Sequence, residues 1–155
     1  MRVPDWIWKS FVAGLCGMTA HSLLMFFKAR MGLLPSFQPY EALQAMLRDW
    51  IGRAVPSILP WMLSFLSGST VIGLLFGGIY QKLPGHSGAT KGILIGVLGW
   101  LLMGLLFFPM LGLGVFASKL DLGITPALFS LAMLLIYSVV MGSVYSALNS
   151  KTPGR

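Results

Sequence analysis

Residues 91–119 read KGILIGVLGWLLMGLLFFPMLGLGVFASK, and the 27 residues between the two flanking lysines include no Asp, Glu, Lys or Arg. A helix needs about 20 apolar residues to cross the hydrocarbon core of a bilayer. Lipid offers no partner to a free peptide group, so such a stretch is expected to cross as a helix. Three further uncharged stretches contain 18, 28 and 29 residues and lie between Lys9 and Lys28, Arg53 and Lys82, and Asp121 and Lys151.

The four stretches predict an all-α membrane protein with four transmembrane helices. We place them at residues 10–31, 57–80, 91–113 and 126–148, in a single membrane domain over residues 1–155. Pro109 falls late in the third helix, so that helix is expected to kink or end early there. No small-residue cleavage site follows the first apolar run, and we therefore expect that helix to be retained rather than removed as a signal peptide.

The composition excludes a soluble globular domain. Of the 155 residues, 56% are hydrophobic and 10% are charged, against about 25% charged residues in soluble proteins. Mean hydropathy is +0.82 and the formal net charge is +7. We therefore expect a lipid bilayer and other membrane-protein subunits as partners. We expect no nucleic-acid partner, because the basic residues form no clustered stripe. The single cysteine, Cys16, cannot form an internal disulfide.

The longer connection between the first two helices has the pattern of an amphipathic helix at residues 39–55. Its apolar residues recur at spacings of three and four. We interpret it as an interfacial helix lying among the lipid headgroups, with packing against the bundle or a partner as the alternative. Aromatic residues near the predicted boundaries are candidate interface anchors, namely Trp6, Trp8, Trp50, Tyr80 and Tyr145.

The distribution of Lys and Arg gives a weak orientation. With four spans, six of these residues fall on the side of the termini and five fall on the opposite side. This difference favours an orientation with both termini in the cytoplasm.

The sequence also indicates two tandem hairpin repeats. The first and third spans align with an offset of 82, which pairs Lys9 with Lys91 and Gly14 with Gly96. The second and fourth spans align with an offset of 65, which pairs the glycines and tyrosines of two Gly-x2-Tyr segments. Parallel repeats of this kind occur in some transporters, but they also arise by duplication of a packing unit.

Small residues at four-residue spacing mark the expected contact faces of the helices. In lipid, helices associate by close van der Waals contact, for which small side chains are needed. We expect the intramolecular bundle to form through Ala13, Gly17, Gly73, Gly77, Gly92, Gly96, Ser138 and Gly142.

The residue types argue against catalysis and against ion-coupled transport. All four acidic residues lie at the ends of spans or in connections, whereas coupled transporters usually keep ionisable groups within the membrane. No nucleophile has a base beside it in sequence, and we therefore predict no enzyme activity.

One histidine, His21, lies near the middle of the first span and has three interpretations. It can hydrogen-bond a neighbouring helix, it can ligate haem or a pigment, or it can bind Cu(I) together with Met18 and Met25 on the same helix face. The other histidine, His86, falls in a polar turn, so two histidines of one chain are not expected to share a haem.

Several segments resemble a group of small bacterial four-helix membrane proteins that share a domain of unknown function. They are GLLFGGIY at residues 73–80, LPG at 83–85, KGILIG at 91–96 and GLGVF at 112–116. The resemblance implies a four-helix membrane fold over about residues 11–148 and implies no activity. In that group a histidine often precedes the tyrosine of the last span, where this chain has Leu134, Leu135 and Ile136.

We therefore expect a non-enzymatic accessory or assembly subunit of a respiratory or photosynthetic membrane complex. The alternatives are a small channel or facilitator lined by serine and threonine residues, and a protein that binds haem, a pigment or copper through His21. The serine and threonine residues available for such a channel are Ser64, Ser67, Ser69, Thr70, Ser138 and Ser143.

Overall fold

The computed structural model describes residues 4–150, and its regular structure within that range is entirely helical. Four helices are long and apolar enough to cross a membrane: span 1 (Asp5–Arg30), span 2 (Ile58–Ile79), span 3 (Gly88–Met110) and span 4 (Thr125–Ser150). The prediction of an all-helical protein with four apolar spans is confirmed, and these helices indicate a multi-pass membrane protein.

Span 1 begins five residues before its predicted start and therefore includes Lys9, which was expected to precede it, as well as Lys28. Lys9 and Lys28 are each only 3% exposed. The Lys9 ammonium lies 3.4 Å from the side-chain oxygen of Asn149, and the Lys28 ammonium donates to the carbonyl oxygen of Phe37 at 2.7 Å. Because these contacts satisfy the two ammonium groups, the helix continues past them at both ends.

The connection between spans 1 and 2 contains the connecting helix, Pro39–Ile51. It ends four residues before the predicted boundary because Gly52 adopts a left-handed conformation with φ of 72° and closes the helix. The side-chain amide of Gln44 donates to the carbonyl oxygen of Val55 at 2.6 Å and holds the segment that follows.

Two spans contain a short π-helical segment, in which hydrogen bonds reach five residues instead of four. These segments are Ser67–Ile72 in span 2 and Met103–Phe107 in span 3. Pro109 follows the second of them, and span 3 ends at Met110, in agreement with the early end expected at that proline. A 3-10 segment, Val115–Leu120, then leads towards span 4.

Spans 1 and 4 form the centre of the bundle. Span 1 packs against spans 2 and 4, and span 4 packs against spans 1 and 3. The indole nitrogen of Trp100 in span 3 donates to the carbonyl oxygen of Ala127 in span 4 at 2.9 Å. This hydrogen bond links spans 3 and 4, which form the second hairpin, near the start of span 4.

Glycines at the helix contacts allow backbones to approach closely. A Cβ atom on Gly73 would lie 2.8 Å from the carbonyl oxygen of Ser10, and one on Gly17 would lie 2.7 Å from that of Tyr137. A Cβ atom on Gly92 would overlap the carbonyl oxygen of Ser138. The first contact joins spans 1 and 2, the second joins spans 1 and 4, and the third joins spans 3 and 4.

The end of the bundle near the chain termini is filled by aromatic rings. Phe76 is 1% exposed and Tyr145 is 4% exposed. The ring centroid of Tyr145 lies 5.8 Å from that of Phe76 and 4.6 Å from that of Tyr80. The ring of Tyr145, which the sequence suggested as an interface anchor, thus packs inside the bundle.

Candidate functional site

The opposite half of the bundle encloses a cavity of about 520 Å³, which we call the His21 pocket. All four spans and the connecting helix contribute residues to its wall. It therefore lies between the helices, beneath the connecting helix, and away from the aromatic rings that fill the other end. Ligand pockets in proteins are typically about 300–1,000 Å³ in volume, so this cavity is large enough for a small molecule.

A cluster of three hydrogen-bonding side chains forms the polar end of the pocket. The Tyr40 hydroxyl lies 3.4 Å from Nε2 of His21 and 3.4 Å from the hydroxyl oxygen of Ser64. The Tyr40 ring stacks on Trp61 with a centroid separation of 4.2 Å. The connecting helix thus places Tyr40 beside His21 of span 1 and Ser64 of span 2.

The Tyr40 hydroxyl is held in its neutral form. Burial raises the pKa of this hydroxyl above its usual value, and the hydrogen bond to Ser64 offsets only part of that effect. The phenol therefore remains protonated throughout the physiological pH range and is able to donate a hydrogen bond.

The other walls of the pocket are apolar and consist mainly of aromatic and sulfur-containing side chains. The Phe37 ring meets the Phe108 and Phe129 rings edge to face, with centroid separations of 5.6 and 6.3 Å. Phe37 and Phe108 are only 2% and 1% exposed. The remaining aromatic and sulfur-containing lining residues are Met25, Met103, Phe107 and Met133.

The exposed lining residues of the pocket all lie on span 2. They include Leu63 at 43% and Ile72 at 38%. These residues belong to the membrane-spanning part of the chain, so the exposed wall of the pocket is on the side that lipid would contact.

The two π-helical segments border this pocket on opposite sides. Ser67 and Ile72 are the end residues of the segment in span 2, and Met103 and Phe107 are those of the segment in span 3. Widened turns of this kind occur frequently at functional sites, because they displace side chains from the regular helical positions. Here the first and last residues of each segment line the same cavity.

The predicted cofactor ligand His21 lies in the pocket, and so do the candidate channel residues Ser64 and Ser67. Met25 also lines the pocket, whereas the sulfur of Met18 lies against Gly68 and packs into the core. Within residues 4–150, no group of three His, Cys, Asp or Glu side chains is placed to hold a metal ion. Of the three residues considered for a copper site, His21 and Met25 line the cavity and Met18 does not.

The predicted packing residues and anchors lie elsewhere. Trp6, Trp8 and Trp50 are exposed at 41%, 46% and 71%, and Tyr80 lies beneath the ammonium of Lys91, 4.2 Å from its ring centroid. All eight predicted packing residues are buried within the bundle, namely Ala13, Gly17, Gly73, Gly77, Gly92, Gly96, Ser138 and Gly142.

Tyr40 was not recognisable as a pocket residue from the sequence. Its position one residue after Pro39, at the start of an amphipathic helix, does not distinguish it from a surface tyrosine. Ser64 and Ser67 were recognised only as polar residues of a possible channel. Since Tyr40, Ser64 and His21 come from three separate helices, their proximity has no signature in the spacing of the sequence.

Comparison with known proteins places the chain within one family. Neither a curated protein nor a solved structure matches the sequence. The model of a family of unknown function, DUF6789, matches residues 4–154, which is nearly the whole chain. This match confirms the resemblance to a group of proteins with a shared domain of unknown function, and the chain belongs to the DUF6789 family.

Proposed function

We propose that this protein is a non-enzymatic membrane protein that holds a small lipid-soluble molecule in the His21 pocket. The observation that supports this function best is the form of the cavity, which has a polar end at Tyr40 and an exposed wall at Leu63 and Ile72. Protein interiors are close-packed, and a void of about 520 Å³ is far larger than the gaps that ordinary packing leaves. A bound molecule would supply the missing packing.

We propose further that the protein acts as an accessory or assembly subunit of a respiratory or photosynthetic complex in a bacterial inner membrane, with both termini in the cytoplasm. The small size of the chain and its few residues outside the spans support this role. Affinity purification in mild detergent tests it. Recovery of the protein with other integral membrane subunits is expected, and recovery only as a free monomer or homodimer would contradict the role.

The contacts within the two hairpins support a tandem repeat. Gly73 lies against Ser10 and Gly14, and Ser138, which is 65 residues after Gly73, lies against Gly92 and Gly96. These two glycines are the residues 82 positions after Ser10 and Gly14. Tyr80 and Tyr145, also 65 residues apart, lie with their rings 4.6 Å from each other, as expected on either side of a two-fold axis.

The geometry favours a pocket that ends inside the bundle over the alternative of a channel that crosses it. Phe76, Tyr80 and Tyr145 pack together at the end of the bundle opposite the pocket, where a passage would have to continue. Two of the candidate channel serines use their hydroxyls within their own helices. Ser69 donates to the carbonyl oxygen of Phe65 at 2.7 Å, and Ser138 donates to that of Leu135 at 3.2 Å.

The alternative that His21 ligates haem or a pigment requires Nε2 or Nδ1 to be available for a metal. Nε2 faces the Tyr40 hydroxyl at 3.4 Å. This arrangement favours a histidine that hydrogen-bonds its neighbours. An absorption spectrum of the purified protein, compared with that of His21→Leu, distinguishes the two interpretations, because a ligated cofactor would give a Soret or pigment band that the variant loses.

Blocking the exposed wall of the pocket is expected to remove the bound molecule. In Leu63→Trp the larger side chain would fill the space at this wall, and the amount of lipid-soluble compound that co-purifies with the protein should fall at least fivefold. Organic extraction followed by mass spectrometry measures this amount. Leu75→Trp is the matched control, because Leu75 is 58% exposed on the same span and does not line the pocket.

The function proposed for the pocket would be contradicted if Leu63→Trp and Leu75→Trp retained the same compounds in the same amounts as the unmodified protein. The result would also count against it if extraction recovered only bulk phospholipid from all three proteins. Size-exclusion chromatography and circular dichroism establish that both variants fold.

A further inference from the structure

We propose that the His21 pocket binds a lipid-soluble quinone, with its planar ring inside the pocket and its alkyl tail in the bilayer. This inference rests on the binding function proposed above and specifies the chemical class of the ligand. A carbonyl oxygen of the ring would accept a hydrogen bond at the polar end, where Tyr40, His21 and Ser64 meet. The ring face would contact the phenylalanine and methionine side chains of the walls.

The polar end is suited to a ligand that accepts a hydrogen bond. Both contacts of the Tyr40 hydroxyl are 3.4 Å long, whereas bonds between hydroxyl groups and their acceptors are usually about 2.5–3.0 Å. Neither His21 nor Ser64 therefore holds the phenolic hydrogen firmly. A carbonyl oxygen placed between them at an ordinary distance would be the better acceptor.

The remaining hydroxyls of the pocket are already engaged. Ser67 donates to the carbonyl oxygen of Ser64 at 3.1 Å, and Ser130 donates to that of Ala127 at 2.9 Å. Recognition is thus concentrated at a single end of the cavity. This distribution fits a ligand with one hydrogen-bonding edge directed to that end rather than a polyhydroxylated molecule.

A charged headgroup does not fit the pocket. Among residues 4–150, no Asp, Glu, Lys or Arg side chain lines it. A carboxylate or phosphate would lose its hydration without gaining a counter-ion, which costs several kcal/mol or more. A fatty acid or the headgroup of a phospholipid is therefore disfavoured, whereas a neutral carbonyl compound meets a neutral donor.

The walls favour a flat and polarisable ring. Four phenylalanines and three methionines line the cavity, and the Phe37, Phe108 and Phe129 rings stand at steep angles to one another. Aromatic edges and thioethers make favourable contacts with the faces and edges of planar π-systems. A branched aliphatic molecule would gain less from these surfaces than a quinone ring would.

The exposed wall provides a path for the tail. Leu63 and Ile72 are partly exposed within span 2, and the π-helical segment of that span ends at Ile72. A linear alkyl or isoprenoid tail attached to the ring can leave between these two residues and continue among the lipid chains. The ligand then needs no aqueous phase on its way into the site.

Saturable binding of tritiated decylubiquinone to the full-length protein in phospholipid nanodiscs tests this inference. We expect displacement by unlabelled decylubiquinone and at least tenfold weaker competition by n-decylbenzene, which has the same tail and a ring without oxygens. Tyr40→Phe removes only the hydroxyl and is expected to weaken quinone binding about five- to tenfold, the equivalent of one neutral hydrogen bond. Tyr80→Phe, at the opposite end of the bundle, is the control and should bind normally.

The outcomes separate the ligand class from the binding function. If n-decylbenzene competes as well as decylubiquinone, and Tyr40→Phe binds both normally, the quinone assignment is overturned while a lipophilic pocket remains. If neither compound binds saturably and extraction finds no retained small molecule, the proposed binding function fails as well. Circular dichroism of Tyr40→Phe and Tyr80→Phe shows whether each variant keeps its helices.

Discussion

Replacing Gly92 with alanine is expected to separate spans 3 and 4 and to cause a large loss of stability. The added Cβ atom would overlap the carbonyl oxygen of Ser138 and would lie 3.0 Å from the Cα atom of Val139. Backbone atoms of a helix cannot move aside as a flexible side chain can, so the helices must part. We expect a cost of about 3 kcal/mol or more, at or above the upper range for overpacked cores.

Gly99→Ala is the matched control, since Gly99 lies on the same span and an added Cβ atom there has nothing within 4 Å. This variant should be neutral or slightly more stable, because alanine favours helix formation over glycine by about 1 kcal/mol. Unfolding in mixed micelles with increasing SDS, followed by circular dichroism, compares the two. Equal midpoints for Gly92→Ala and Gly99→Ala would show that close approach at Gly92 does not hold the bundle together.

Lys28→Met is expected to release the loop that closes the His21 pocket. The Lys28 ammonium donates to the carbonyl oxygens of Phe37 at 2.7 Å and Leu34 at 3.3 Å, and it lies 5.8 Å from the centroid of the Phe37 ring. Without the ammonium, the carbonyl groups of Phe37 and Leu34 lose their partner, at a cost of about 2–3 kcal/mol. Since Phe37 forms part of the pocket wall, the variant should also lose the co-purifying molecule.

Arg30→Met serves as the control for this substitution. Arg30 is exposed, lies two residues further along span 1 and rests on the Phe26 ring at 5.3 Å. An exposed contact of this kind contributes at most about 1 kcal/mol. The thermal unfolding midpoint in detergent and the extracted amount of bound compound should fall in Lys28→Met and stay close to normal in Arg30→Met. A Lys28→Met protein that is as stable and as well loaded as Arg30→Met would refute this role for the lysine.

The four spans could be predicted because each depends only on the apolar composition of its own segment. A run of about 20 uncharged residues has one low-energy form in lipid, whichever neighbours it meets. The ends were less predictable, since they depend on partners distant in sequence. Lys9 lies within the helix, where its ammonium contacts Asn149 near the end of span 4. Charge alone indicated that span 1 would begin after Lys9.

The pocket could not be predicted because it results from contacts between helices. Tyr40 meets His21 across 19 residues of sequence and Ser64 across 24. Likewise, the apparent membrane-interface position of Tyr145 gave no sign that Phe76 and Tyr80 would surround its ring. Small residues were informative in a different way. They predict which faces approach closely, but the choice of partner, such as Gly92 against Ser138 rather than another helix, depends on the assembled bundle.

The most direct test of the account is the topology of the chain in its own membrane, measured with a membrane-impermeant thiol reagent. Cys16 is first replaced by alanine, and single cysteines are then introduced as Arg53→Cys, His86→Cys and Lys119→Cys, at three exposed positions between the spans. Four membrane crossings predict that residues 53 and 119 react from one side of the membrane and residue 86 only from the other. Labelling of all three positions from the same side would contradict the four-span bundle, and the lipid-facing pocket would be lost with it.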